Sequence, residues 1–193
     1  MPAPAVLRDV FNGYRAHHGE EDDGFVFEDE TSGAPISRLE VLVYRPTTRS
    51  DTTSFVTIGM ATNEMPALPG PGGGGRAELH FERRGRLARA DENAVGIQLA
   101  NLAVYPFLTG EQLNWGHMIS LNGEFPTFPG CRAVFLVGPL TDNGLDYLHT
   151  TAGSVRIVNV IPITEAERAQ GRALPPLDFA QSLLKQRDIF TEP

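Results

Sequence analysis

The stretch SVRIVNVIPITEAERAQG, Ser154 to Gly171, decides the fold. Val155, Ile157, Val158, Val160, Ile161 and Ile163 occupy both odd and even positions, so a strand built from them is apolar on both faces and sits in the middle of a sheet. The next residues change period. Thr164 and Glu167 make a T-x-x-E capping box, in which the hydroxyl accepts from the third helical N–H and the carboxylate returns to the N–H of the cap. A short helix follows, with Gly171 as its expected stop.

Working outward, PLDFAQSLLKQRDIF reads as a closing helix with Leu177, Ala180 and Leu184 on its apolar side. Upstream, CRAVFLVGPL and GHMISLNGEF read as strands. Asp91 is the expected N-cap of a helix carrying Val95, Leu99 and Leu102 on one stripe, with Pro106 limiting its far end. In RAELHFER, the residues Ala77, Leu79 and Phe81 share a buried face, and Glu78, His80 and Glu82 a wet one. SFVTIGM and RLEVLVYRP are further strands, the latter stopping at Pro46, which has no ladder donor. Near the start, Val6, Leu7, Val10, Phe11 and Tyr14 form a helical stripe, followed by an acidic GEEDDG loop and FVFEDE. Strands that follow one another directly predict an α+β fold, with a central mixed, mainly antiparallel sheet and helices packed against it. The 193 residues form one expected domain, its core at about 39–185 and residues 1–38 supplying a helix and the acidic loop.

Composition sets the function classes. Hydrophobic residues at 41% and charged residues at 21% fit a globular chain. A net charge of −8 argues against nucleic-acid binding, since a phosphate-binding surface needs clustered Lys and Arg. The densest basic stretch, ERRGRLAR, contains no aromatic residue and is followed by Asp91 and Glu92. Neither a signal peptide nor a membrane span is expected, which places the chain in the cytoplasm. The single Cys131 has no internal disulfide partner, consistent with a reducing compartment.

The glycine-rich loop PALPGPGGGGR, Pro66 to Arg76, tests for a phosphate cradle and lacks its parts. A Walker loop needs spaced glycines, a lysine and a hydroxyl at a helix start, and a dinucleotide fingerprint needs strand, glycines, then helix. Here a strand follows, so the stretch reads as a connection between two strands. Cys131 raises a second possibility, a thiol hydrolase with His117 or His149 as base and Asp142 as orienter. Its place at the start of an apolar strand makes it a structural cysteine first. His17 and His18 are adjacent and point about 100° apart on a helix, and His80 and His117 lack close companions at ligand spacing, so no metal site is expected. The acidic runs read as solvated loops. No cofactor is expected. Trp115 is either core or an interface anchor.

Taken in order, VYRP, SFVTIGMATNEM, RAELHFER, LANLAVYPF, LNWGHMI and VRIVNVIPITEAERAQG resemble the suppressor of fused family, over about Val41 to Leu184. Each piece is weak alone; the specificity lies in their order and spacing. The resemblance implies a bacterial single-domain protein-binding module and not a catalyst. Animal members clamp an extended Gli peptide between two lobes, which amounts to adding a strand to a sheet. The present chain corresponds to the first lobe only, so neither that clamp nor that partner carries over. Some bacterial relatives resemble immunity proteins that neutralise toxins, and the acidity of this chain suits a basic toxin domain. The resemblance points to Glu64 and Met65, just after TIGM, together with Trp115 and His117, as partner-binding residues. Methionine and proline stand there in place of the aromatic and acidic pattern that the family would present. A structural or regulatory oligomer subunit is the remaining reading.

Overall fold

The computed structural model describes residues 4–66 and 75–193. Its centre is β8, Gly153–Thr164, the strand apolar on both faces. On one side β8 pairs in parallel with β4, Arg76–Arg84, matching Leu79 to Val158. On its other side, the first half pairs with β7, Tyr147–Thr150, and the second half with β6, Cys131–Val137, both antiparallel. The sheet continues outward from β4 through β3, Thr52–Ile58, and β2, Arg38–Tyr44, to the edge strand β1, Asp23–Glu28. Beyond β6 lies β5, Met118–Ser120. This mixed, mostly antiparallel sheet has eight strands, and the fold is α+β as expected.

Helices cover both faces. On one, α2, Arg89–Thr109, packs Val95, Leu99 and Leu102 against Val41, Val43, Phe55, Leu79, Phe81 and Val158. On the other, α1, Ala5–His18, packs Val6, Val10 and Tyr14 against Leu42, Val56, Ile58, Val155 and Ile157. Further along that second face, α4, Pro176–Gln186, sets Phe179 and Leu183 against Phe135, Ile161 and Ile163. The capping box forms as expected: Glu167 N donates to Thr164 Oγ1, Thr164 N donates to Glu167 Oε2, and α3, Glu165–Arg172, begins there.

Five expectations need correction. Asp91 is not the N-cap of α2; the helix starts at Arg89 behind an extended Ala88, and Asp91 and Glu92 sit in its first turn, where acids complement the helix dipole. Pro106 lies inside that helix, which runs to Thr109 and ends at Gly110 in the left-handed conformation, φ 77°. Gly171 does not stop α3 but lies buried within it. On α4 the apolar side is Phe179 and Leu183, whereas Leu177 is 70% and Leu184 49% exposed. That helix carries leucines on several sides, and the aromatic side chain decides which one faces the sheet. Last, Glu78 is not on a wet face: it is 0% exposed. Strand β7 was missed because four residues are too few for alternation to show.

Gly171 is a contact glycine. A Cβ there would run into Met118 Cε and lie 2.7 Å from the Phe179 ring. Gly171→Ala is therefore expected to destabilise the fold by about 1–3 kcal/mol through overpacking, read as a lowered urea midpoint; an unchanged midpoint would contradict this packing.

Candidate partner-binding site

The segment after β3 is built around the buried carboxylate of Glu78. Thr57 donates its hydroxyl to Glu78 Oε2 at 2.6 Å, and the backbone N–H groups of Gly59 and Ala61 both donate to Oε1 at 2.9 Å. Thr57 in turn accepts from Leu79 N at 2.8 Å. The carboxylate thus serves as the cap of the single 3-10 turn Met60–Thr62, satisfying N–H groups that a buried turn start would otherwise leave unpaired. Burial pushes its pKa up to about 7, against the hydrogen bonds from Thr57 and the turn's backbone. Gly59 makes the close approach possible: its φ is 140°, and a Cβ would lie 2.5 Å from Arg38 O.

The chain leaving this turn is held on both sides. Arg76 Nη1 donates to Ala61 O and Thr62 O at 2.8 Å each, and its guanidinium stands 3.9 Å from Glu64. Met65 N donates to Gly75 O at 2.9 Å. Gln112 Nε2 donates to Pro66 O at 2.9 Å, while Gln112 O accepts from His117 Nδ1 at 2.9 Å. Because a carbonyl only accepts, His117 carries its proton on Nδ1 when neutral. Gln112 therefore places Glu64–Met65 and His117 in one neighbourhood. Glu64 is exposed, His117 half-buried, and Met65, at 2% exposure, belongs to the core that anchors the segment. Trp115 is turned the other way: its Nε1–H donates to Ile157 O at 3.0 Å, and its ring packs on Gly138, with Arg156 5.6 Å from the ring centre.

The residues that organise this site, Glu78, Arg76 and Gln112, were not legible in the sequence. Strict alternation assigns Glu78 to water, and the one signal against that was Gly59, directly after β3. The glycine-rich connection itself lies largely at residues 67–74, outside the described residues; its flanks are as expected, since β3 and β4 pair antiparallel.

The residues of the thiol hydrolase are not brought together. Cys131 lies opposite Thr164, and His149 opposite Ser154; ten residues of one strand separate them, about 33 Å. His117 accepts at its backbone from Leu136 N, five residues along β6 from Cys131, roughly 16 Å. Asp142 lies in an exposed loop. Cys131 is fully buried, and burial pushes its thiol up to about 11. Among the described residues no group of three His, Cys, Asp or Glu side chains is placed to hold a metal ion, and no helix is long and apolar enough to cross a membrane.

A mixed, mostly antiparallel sheet with helices on both faces defines a domain type known from solved structures. The family model "Suppressor of fused protein (SUFU)" matches residues 36–189. This chain belongs to the suppressor of fused family. Its fold is similar to that of about half of Drosophila Suppressor of Fused, with a TM-score of 0.70 at 14% identity over 96% of this chain and 48% of that one. A chain of the Sufu–Fu complex matches with a TM-score of 0.65 at 14% identity, covering 98% of this chain and 86% of that one. A SUFU homolog from Neisseria gonorrhoeae matches with a TM-score of 0.65 at 13% identity, over 95% and 92%. No curated protein matches by sequence.

The Glu78 arrangement yields a signed pH dependence. A carboxyl whose pKa is about 7 in the fold and 4.5 as its ordinary value stabilises the fold in its protonated form; that contribution is complete below about pH 4.5 and is lost as pH rises through 7. The loss is about 3 kcal/mol at 1.36 kcal/mol per unit. Glu78→Gln is expected to remove this slope between pH 4.5 and 7 while keeping an acceptor for Gly59 and Ala61. Glu78→Ala, which strands both N–H groups, should cost about 2–4 kcal/mol. Parallel stability–pH curves for wild type and Glu78→Gln would contradict a buried Glu78 whose pKa is raised by the fold.

Proposed function

We propose that this chain is a non-catalytic protein-binding module that captures a basic protein partner, and that it acts as an immunity protein neutralising a toxin domain in the bacterial cytoplasm. The family match over residues 36–189 carries the reading. It is supported by the shared fold with a chain from the Sufu–Fu complex. The net charge of −8 gives the partner's sign, because opposite potentials steer encounter and suppress wrong partners.

The surface we assign to capture is the segment from Glu64 to Pro66 with the turn from Gln112 to His117. Glu64 supplies an exposed carboxylate for a partner cation, with Arg76 and Gln112 holding the backbone on either side of it, at Ala61–Thr62 and at Pro66. Met65 works from below, as the buried anchor of the segment. His117 adds a half-buried imidazole whose Nε2 remains an acceptor when the ring is neutral. Trp115 fixes the base of the adjoining turn through Ile157 O.

The test is affinity capture of the tagged chain from its native lysate, then a salt titration of the eluted partner. A single basic partner, released progressively as salt rises, is expected. Glu64→Arg should weaken its capture at least tenfold while leaving the folded state's unfolding midpoint unchanged. No partner above background, or capture indifferent to both salt and Glu64→Arg, would overturn the reading.

A further inference from the structure

On the sheet face covered by α1, away from α2, a cavity of about 550 Å³ lies between the end of that helix, β3, β4, β8 and the loop 140–145. That volume is in the range of small-ligand sites. Two buried tyrosines line it, Tyr14 at 0% and Tyr44 at 7% exposure, and neither hydroxyl has a hydrogen-bond partner among the described residues. Such buried hydroxyls are almost always partnered in folded proteins.

The fixed polar atoms around them are acceptors. Asn159 Nδ2 donates to Gly138 O at 2.8 Å, so its Oδ1 is the atom facing His80 Nδ1 at 2.6 Å. His80 therefore keeps its proton on Nδ1, and its buried, unpartnered Nε2 presents a lone pair when the ring is neutral. Beside it, Glu82 Oε1 accepts from the hydroxyls of Thr52 at 3.1 Å and Ser54 at 3.0 Å. No cation pairs with this half-buried carboxylate among the described residues. The imidazole of His18 stacks on Tyr44 at 4.8 Å. Burial, then the neighbouring His80 and His17, hold His18 down to about 3, so it adds an uncharged aromatic wall at neutral pH. Arg45, also in the lining, is committed to Glu92 at 2.7 Å and Asp23 at 2.8 Å, and Arg49 lies out in solvent at the mouth.

A carboxylate, an imidazole lone pair, two rotatable hydroxyls and stacked aromatic walls suit a planar cation rich in N–H donors. We infer that this cavity is a binding site for a guanidinium group, held by Glu82 and His80 Nε2 and bordered by Tyr14, Tyr44 and His18. The group can belong to a small free amine or to an arginine side chain of a peptide. This inference does not rest on the capture surface around Glu64, and its readout needs no protein partner, so either can fail alone.

The test follows the imidazole nitrogens of His80 and His18 by two-dimensional NMR during titration with agmatine, with butylurea as the neutral control of like shape. Saturable shifts with agmatine and none with butylurea are expected. Glu82→Gln, which keeps an acceptor for Thr52 and Ser54, should weaken agmatine at least tenfold; Tyr44→Phe, which keeps the ring, should weaken it severalfold. A blocked peptide, acetyl-Gly-Arg-Gly-amide, separates the sources: shifts equal to those of agmatine identify a side-chain site, and shifts with agmatine alone identify a small-amine site. No saturable shift with agmatine, an equal response to butylurea, or an affinity untouched by both substitutions would overturn the inference.

Discussion

One buried carboxylate, with no counter-ion among the described residues, holds the turn that follows β3. Glu78 accepts three hydrogen bonds, one from Thr57 and two from the backbone of the turn at Gly59 and Ala61. Burying a charged group without an ion pair is unfavourable unless its lone pairs are satisfied, and here the turn itself satisfies them. The cost appears as the raised pKa, and in exchange the turn Met60–Thr62 has its leading N–H groups satisfied. Arg76 and Gln112 extend that order through Thr62 and Pro66.

The same strand that carries Glu78 supplies the parallel pairing with β8. A parallel neighbour cannot be reached by a tight turn, so the chain crosses over through α2 before returning as β5 and β6. That crossover covers one face, while α1 and α4 cover the other, and the two faces acquire different surroundings. On the α2 side lie the presenting turn's anchor, Met65, and the large core. On the α1 side, β4 offers His80 and Glu82 to a cavity. The even-numbered polar positions of this nine-residue strand all face the α1 side, Glu78 beneath the turn and His80 and Glu82 at the cavity.

Those even-numbered positions also mark where sequence reading stopped. The alternation in RAELHFER places Ala77, Leu79 and Phe81 correctly, because a single hydrophobic face is all that a period of two encodes. It says nothing about whether the opposite face meets water or a turn folded over it: Glu78 is buried under the turn, whereas His80 and Glu82 line a cavity. The central strand and the capping box at Thr164 were legible because both are local signals. The α4 face was not, since Leu177 and Leu184 compete with Phe179 and Leu183, and only the shape of the sheet decides. The family was legible from the order of short pieces, although the contacts through Gln112 that join Pro66 to His117 span too much chain for any motif to encode.

The capture we propose at the segment following β3 draws on the chain's family, its acidity and its hydrogen-bonded turn. Hydrogen–deuterium exchange of the captured complex against the free chain measures that directly. Added protection is expected at residues 59–65 and 112–118, with α3 and α4 unchanged. Protection confined to α3 and α4, with both segments exchanging as in the free chain, would contradict it.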